Sequence, residues 1–316
     1  MDGKHTPEAQ CYEQTHTTYP NPCSRCGYGD PVGRRHVCHD CRGTTPNATY
    51  YACLKAGKLT QVGTTAPTCK GTATQISWNS EGPYNCSATP YVGVDLAGCN
   101  LTDDNLTNAS IYGADLVGTN LSGATLSGAN LTGANMSAVG LGEDGSSNPA
   151  TLTGTNLNGA NLTNANLADA NLNSATADSA NFTDATLTGA DLFSAVASGA
   201  NLSNADLSHT NMDLSELQGA NLYGAKLIDS GVGNSILTLA NLTGANLDGA
   251  SLAGSNLENS NLTYTILVDV NLTDAYLYGA TGTVGDHVTG VTWTGATCPD
   301  GTVVTGTVTT CVGHGF

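Results

Sequence analysis

The sequence lacks the features that mark membrane proteins and most enzymes. No apolar stretch approaches the roughly 20 residues that cross a bilayer, so no membrane span is predicted in this sequence. No glycine-rich, phosphate-binding loop precedes a predicted helix. His209, the one histidine of residues 94–280, has Ser208 and Asp206 close in sequence, but adjacent positions of a strand point apart and make no catalytic triad. We therefore predict a protein that is not an enzyme and has no catalytic residues.

Basic residues are scarce where acidic residues are common. The formal net charge is −17, from 9 Lys and Arg against 26 Asp and Glu. Residues 94–280 hold 18 of these acids and one base, Lys226, whereas residues 1–93 hold 8 bases and 6 acids. Residues 94–280 therefore carry a net charge of −17, and residues 1–93 carry +2. So acidic a surface repels phosphate backbones, and direct nucleic-acid binding is not expected.

What the sequence has in abundance is one motif of five residues. Thirty-five blocks, each reading roughly Ala-Asn-Leu-x-Gly, run from Val94 to Gly279. The third residue is Leu in 28 blocks, the first is Ala, Ser, Thr or Cys in 32, and the last is Gly, Asn or Asp in 27. A short fixed period predicts stacked units that share one core, and therefore a rod whose function resides in its surface and ends.

The positions within the block predict a β-solenoid rather than a helix. A period of five matches neither ~3.6 nor ~3.5 residues, and Gly and Asn are poor helix formers. In an extended chain the first and third residues of a block point inward together. Because five is odd, each block must contain a corner that resets this alternation. The last residue of the block tolerates the positive φ that such a corner needs.

Unusual residues recur every twenty positions, which predicts four blocks per coil. Ala replaces the central Leu at Ala177 and Ala197, and Phe182, one block after Ala177, is placed to fill the vacated volume. Ser replaces Ala at three inward positions with the same spacing: Ser215, Ser235 and Ser255. Thirty-five blocks then make nearly nine coils, which is a rod roughly 42 Å long at ~4.8 Å per coil.

These blocks, for example Ala240-Asn241-Leu242-Thr243-Gly244, resemble those of the pentapeptide-repeat proteins. The resemblance covers 187 of 316 residues and implies an all-β fold, a right-handed quadrilateral parallel β-helix. It implies no single activity, although some family members resemble duplex DNA and occupy type II topoisomerases. The register shifts at residues 140–149 and predicts a projecting loop, which is either a binding element or a tolerated surface insertion.

The cysteines favour an exported protein. Ten of the eleven lie outside the repeats, and Cys99, at a small inward position, is interpreted as a buried substitute for Ala. The Gly- and Thr-rich segment that holds Cys298 and Cys311 is too polar to hold itself together, so a disulfide between them is the simplest explanation. Residues 1–7 contain no hydrophobic signal region. The chain is then either cytosolic or exported with its signal removed, and the cysteines favour a secreted or cell-surface bacterial location.

Two further resemblances point the same way. The ending Trp293-Thr-Gly-Ala-Thr-Cys298-Pro-Asp-Gly-Thr302 is similar to that of many bacterial exported pentapeptide-repeat proteins. Residues 51–79 resemble a short paired-cysteine module of bacterial secreted proteins. This second resemblance implies a disulfide between Cys53 and Cys69.

The most specific chemical pattern lies in the first fifty residues. Four cysteines there follow the spacing C-x2-C-x11-C-x2-C: Cys23, Cys26, Cys38 and Cys41. Two such pairs can give four thiolates to one structural Zn²⁺. A fully oxidised module that includes Cys11 and Cys86 would stabilise the segment equally well, and thiol–disulfide chemistry is a weaker third reading. Zinc and disulfides both remain open from the sequence.

The sequence thus predicts four segments and leaves three classes of function. The segments are a cysteine-rich module (1–46), a small paired-cysteine β module (47–93), the solenoid with its loop at 140–149 (94–280) and a cysteine-bridged cap (281–316).

The favoured class is a structural or adhesive surface protein, joined into a fibre by contacts between residues 1–93 of one copy and 279–316 of the next. The alternatives are a nucleic-acid mimic that binds a type II topoisomerase, and a glycan- or cation-binding module. Asn-x-Ser/Thr occurs twelve times within residues 94–280. These sites would carry glycans if the protein is made where glycans are attached, but Asn-Leu-Thr also arises from the repeat itself.

Overall fold

Outside the repeats the described residues form a small antiparallel sheet. Strands β1 (Thr49–Lys55), β2 (Lys58–Gly63) and β3 (Thr74–Asn79) pair in the order β2-β1-β3. Two short parallel strands, β4 (Leu267–Val268) and β5 (Val288–Thr289), pair with each other. The computed structural model describes residues 49–55, 58–63, 65–69, 74–79, 92–137, 149–282, 288–305 and 310–316.

Parallel bridges between residues twenty apart define the coils of the solenoid. In one coil the paired residues are Asp206, Asn211, Glu216 and Asn221, and each pairs with the residue twenty positions further on. The prediction of four blocks per coil is therefore confirmed, and the fold is a right-handed quadrilateral parallel β-helix. We name the four faces of the tube after these residues: the Asp206 face, the Asn211 face, the Glu216 face and the Asn221 face.

Every face has the same layout because every block has the same backbone. The paired residue forms the first outward column of a face. The residue two positions further on forms the second column, and the next residue forms the corner. The residues between these positions point inward, as the alternation along an extended chain requires.

The core is a stack of the small and central residues of each block. Ala220 and Leu222 are fully buried, and the same holds for these two positions along nearly the whole described repeat. The predicted serine column is also present, with Ser215 Oγ 3.3 Å from Ser235 Oγ in the next coil. Because each coil buries only eight such side chains, the coils are stable only when they are stacked on each other.

Each corner is held by a short hydrogen bond and a left-handed residue. In one block Ala245 N donates to Leu242 O at 2.9 Å across the corner residue Gly244, whose φ is +67°. The first column strengthens the turn, since Asn241 Oδ1 accepts from Thr243 N at 3.2 Å. This side-chain turn is the local preference that makes Asn common at the paired position.

The side chain at a corner also restricts which residue can occupy the same corner in the next coil. The Oδ1 atom of an Asp or Asn corner lies directly over the corner glycine that follows it in the stack. A Cβ built at Gly254 would lie 2.5 Å from Asn234 Oδ1, whereas a Cβ at Gly244 would meet no atom within 4 Å. The corners that overlie a glycine in this way are Asp103, Asn108, Asp169, Asn204, Asp229, Asn234, Asn259, Asp269 and Asp274.

We predict that Gly254→Ala lowers the free energy of unfolding more than Gly244→Ala. Both glycines have nearly the same φ, +69° and +67°, so both variants lose about 1–2 kcal/mol from backbone strain. Only Gly254→Ala adds a collision with the side chain of Asn234. Urea unfolding followed by circular dichroism measures the difference.

The control for this collision is the double variant Gly254→Ala/Asn234→Gly. It removes the overlying amide and keeps a residue suited to the left-handed corner. It should recover the excess loss and unfold like Gly244→Ala. Equal losses in both single variants would contradict the proposed contact.

The interruption of the repeat lengthens one coil without breaking the bridges. Asn120 pairs with Thr151, thirty-one positions further on. Eleven extra residues therefore leave the coil at the corner between the Asp206 face and the Asn211 face. Ala150 N donates to Met136 O at 3.0 Å, which closes this corner with the usual bond. The loop predicted at 140–149 lies, apart from its last residue, outside the described residues.

The described core contains an apolar cavity at the two coils where Ala replaces Leu. Ala177 and Ala197 line an apolar cavity of about 20 Å³, and Phe182 is part of the same lining. The aromatic ring is buried, with 2% of its surface exposed. Phe182 therefore occupies volume next to the missing Leu side chains, as its position in the sequence predicts, but does not fill all of it.

We predict that Phe182→Leu destabilises the solenoid although Leu is the usual residue at this position. The smaller side chain enlarges the cavity beside Ala177 and Ala197, at a cost of about 1–3 kcal/mol. The double variant Phe182→Leu/Ala197→Leu should recover stability because it restores the common pattern at both positions. Additive losses in urea unfolding would show that the two sites are independent.

Candidate functional site

The described surface of the solenoid consists of four long lateral faces. Among the described residues, no three His, Cys, Asp or Glu side chains are grouped so that they could hold a metal ion. The four cysteines for which the sequence leaves zinc and disulfides open lie outside the described residues: Cys23, Cys26, Cys38 and Cys41.

Acidic side chains are unevenly distributed over the four faces. In the described part of the repeats, the Asp206 face and its corners carry seven, the Asn211 face four, and the Glu216 face three. The Asn221 face has only Asp184, at a corner, and its two outward columns contain no charged residue in the described coils. The faces are therefore chemically different although their backbones are the same.

Asparagine occupies seven consecutive coils of the Asn221 face. The column consists of Asn130, Asn161, Asn181, Asn201, Asn221, Asn241 and Asn261. Amides of adjacent coils are bonded, since Asn241 Nδ2 donates to Asn221 Oδ1 at 3.0 Å and Asn221 Nδ2 donates to Asn201 Oδ1 at 3.1 Å. In the two preceding coils the acceptor is a hydroxyl, since Asn201 Nδ2 donates to Thr183 Oγ1 at 2.8 Å and Asn181 Nδ2 donates to Thr163 Oγ1 at 3.0 Å. Bonds between successive coils therefore orient the amides from Asn181 to Asn241.

Hydroxyl side chains fill most of the second column of the same face. Thr243 Oγ1 donates to Asn241 Oδ1 at 2.6 Å, and Thr183 makes the same bond to Asn181. Eleven of the twelve Asn-x-Ser/Thr sites contain this bond between their own two side chains. The abundance of the motif therefore follows from turn chemistry.

The exposed tyrosines of the described repeats divide between two faces. Tyr112 and Tyr223 lie in the second column of the Asn221 face, and Tyr264 is at its corner, with 72% of its surface exposed. Tyr276 and Tyr278 lie on the Glu216 face with ring centroids 6.3 Å apart. The five-residue motif alone does not reveal that acids and tyrosines lie on different faces. The difference becomes visible when the repeats are aligned coil by coil, in rows of twenty residues.

The residues around His209 form a surface cluster without catalytic geometry. Asp206 contacts Lys226 Nζ at 3.2 Å and accepts from Ser208 Oγ at 2.7 Å. Partial burial raises the pKa of Asp206, but hydrogen bonds from Ser208 and the charge of Lys226 outweigh it and hold that pKa below its ordinary value. His209 Nδ1 lies 3.8 Å from Asp229 in the next coil. The hydroxyl of Ser208 and the ring of His209 thus have different carboxylates as neighbours, Asp206 and Asp229.

The predicted pairs Cys53–Cys69 and Cys298–Cys311 are disulfides in the structure. Cys99 is disulfide-bonded as well, and its partner is not one of these four cysteines. The interpretation of Cys99 as a mere substitute for Ala is therefore wrong. Its inward position is compatible with a disulfide because it lies in the first coil, where the core ends.

The second disulfide belongs to a cap that closes the core at its C-terminal end. Cys298 and Cys311 are fully buried, and Trp293 and Val304 are each 5% exposed. The Trp293 ring packs against Phe316, with centroids 6.2 Å apart. The cap thus shields the last Leu side chains of the stack from water.

The cap also turns back along the last coil. Val303 pairs antiparallel with Thr297 on the Glu216 face. Asp300 accepts from Thr302 N at 2.8 Å and lies 3.1 Å from His314 Nδ1. The hydrogen bonds from Thr302, aided by His314, hold the pKa of Asp300 below its ordinary value. The terminal edge of this face is therefore already covered by the chain itself.

We predict that Cys298→Ser/Cys311→Ser loosens this cap. The disulfide closes a loop with a sequence separation of 13 residues, so its removal should cost about 3 kcal/mol. Faster hydrogen exchange should be confined to residues 288–316, with little change near Asn201. Uniform loss of protection over the whole solenoid would contradict a local role.

The comparisons with known proteins agree with this geometry. The family model described as pentapeptide repeats matches residues 105–139, 150–184, 198–230 and 235–280, in eight copies. HetL of the cyanobacterium Nostoc sp. strain PCC 7120 is 30% identical, with coverage of 68% of this chain and 93% of that chain. The chain belongs to the pentapeptide-repeat family.

The solved pentapeptide-repeat structures align only partly with this chain. The TM-score to HetL, a protein involved in regulating heterocyst differentiation, is 0.43. Trypsin-treated QnrB1, a plasmid-mediated fluoroquinolone resistance protein, is 20% identical over 61% of this chain and 91% of its own, with a TM-score of 0.39. Rfr23 of the cyanobacterium Cyanothece 51142 is 27% identical over 48% and 89%, with a TM-score of 0.26. A search of curated proteins finds no match.

No helix suited to crossing a membrane occurs in the described ranges.

Proposed function

We propose that this pentapeptide-repeat protein is a non-enzymatic structural and adhesive protein of an oxidising, extracellular environment. The C-terminal cap is the observation that carries the proposal. It closes the end of the core with a buried disulfide, Cys298–Cys311, and stable disulfides are typical of secreted and cell-surface proteins. A rigid rod with flat sides is suited to contact through its sides.

The same cap bears on how copies would assemble. The Thr297–Val303 pairing covers one terminal strand edge, and such an edge is what a second solenoid would extend. This favours adhesion through the lateral faces over fibre growth at the C-terminal end. Head-to-tail assembly through residues 1–93 becomes an outcome of the test below.

The test uses full-length protein isolated from its source without reductant. Peptide mapping should find Cys53–Cys69 and Cys298–Cys311 oxidised, and antibodies should label intact cells. Sedimentation velocity should show a species that does not grow into filaments with concentration. Free thiols at all four cysteines, or labelling only after cell lysis, would overturn the proposed location. Concentration-dependent filaments would restore the fibre hypothesis.

A second candidate, mimicry of duplex nucleic acid, is favoured by the charge. In the described repeats Lys226 is the one basic residue beside sixteen acids. A rod of ~42 Å corresponds to roughly 25 phosphate charges of B-DNA, which is comparable with the −17 of residues 94–280. Inhibition of DNA supercoiling by a type II topoisomerase at micromolar concentration would support this candidate, and no inhibition would exclude it.

A further inference from the structure

We propose that the Asn221 face binds an extended neutral polysaccharide that lies along the rod. The inference rests on the proposed adhesive function and names the surface and the chemistry of its partner. The face extends from Ser110 to Thr281 through nine coils, a length of roughly 38 Å. A long flat surface of this kind fits a linear polymer better than a small compact ligand, which needs a concave pocket.

The charge of the face favours a neutral partner. The backbone of the repeat accepts acids at the paired position, as Asp206 and Glu216 show on other faces. The described outward columns of the Asn221 face nevertheless contain none, in a segment that carries −17 overall. The fold does not require this absence, and columns without fixed charge offer no ion pair to a charged polymer, which favours an uncharged one that binds through neutral hydrogen bonds.

The polar groups of the face are ordered and keep unused hydrogen-bonding capacity. The ladder bond from Asn241 to Asn221 uses one of the two N–H donors on the Asn241 amide. Thr243 donates its hydroxyl proton to Asn241, which leaves its oxygen able to accept. Sugar hydroxyls are both donors and acceptors, so they match this array. Because the side chains are already fixed, binding loses little conformational entropy.

Two tyrosines supply what a polar array lacks, an apolar contact surface. Tyr223 is 52% exposed and Tyr264 is 72% exposed, and they lie two coils apart, roughly 10 Å along the rod. An aromatic ring that is partly apolar and has a polar tip can stack on the C–H face of a sugar ring.

Tyr264 also adopts an unfavourable backbone conformation. Its φ is +58°, at a corner where glycine or asparagine is usual. A bulky residue in this region costs roughly 1–2 kcal/mol, and the exposed ring returns no core packing. Leu214 and Leu239, at exposed corners of other faces, have the same conformation, so the proposal rests on the exposed ring of Tyr264 and not on its backbone strain.

The experiment measures retention of the full-length protein on insoluble polysaccharides. Microcrystalline cellulose and chitin are the neutral probes, and alginate beads are the acidic one. The protein should bind at least one neutral probe, with little change between 50 and 500 mM salt, and should not bind alginate. Tyr223→Ala/Tyr264→Ala should weaken binding by about tenfold or more, as expected for loss of two exposed aromatic anchors.

Matched variants on other faces distinguish binding at this site from non-specific binding. Tyr276→Ala/Tyr278→Ala removes two tyrosines that are 40% and 48% exposed on the Glu216 face and should leave binding unchanged.

A second pair of variants places a carboxylate in the same Asn-Leu-Thr block on two faces. Thr263→Asp changes the Asn221 face and should weaken binding. Thr273→Asp removes the equivalent bond, from Thr273 to Asn271 on the Asn211 face, and should not. Circular dichroism before each assay shows that every variant keeps the solenoid.

Three results would overturn the inference. They are retention on neither neutral probe, retention on alginate that equals retention on cellulose or chitin, and equal loss of binding in the variants of both faces. A protein that fails in these ways but has oxidised cysteines and labels intact cells would still satisfy the proposed function. A protein with free thiols that binds chitin through the Asn221 face would instead retain the site and lose the proposed location.

Discussion

The structure depends on one constraint, which is that the backbone must turn through a left-handed residue once in every five. Without this corner the alternation of an extended chain would send the next Leu to the solvent. Gly satisfies the corner at no steric cost, while Asn, Asp and Ser satisfy it at a small one. The corner thereby determines the polygonal section, the coil of twenty residues and the columns of identical positions.

The constraint explains why so much of the fold could be predicted from the sequence. The inward Leu, the small residue and the corner residue each occupy a fixed place in the block. The solenoid and the stacking of Ser215 over Ser235 therefore follow from spacing alone. The disulfide of Cys99 could not be predicted in this way. Its position has the burial of an Ala, and the motif contains no information on a neighbour that lies far away in sequence.

The candidate site was harder to predict because it is a property of columns and not of blocks. The five-residue pattern averages over four faces that have the same backbone and different chemistry. Tyr223 and Asp206 occupy equally ordinary blocks when they are read along the chain. Their separation on different faces becomes visible only when the coil length is known, and that length follows from a few recurrent exceptions to the repeat.

The repeated Asn-x-Thr motif shows how one local preference can serve two levels of structure. The bond from Thr243 to Asn241 stabilises a single turn, and it would do so on any face. On the Asn221 face the same block recurs in successive coils, so the turn also aligns amides and hydroxyls into straight rows. Turn chemistry accounts for each Asn and Thr taken alone. It does not account for their concentration on one face together with the absence of acids, because Asp206 and Glu216 show that the backbone accepts acids in the same place. This arrangement, which stability does not require, is the basis of the binding role that we propose for this face.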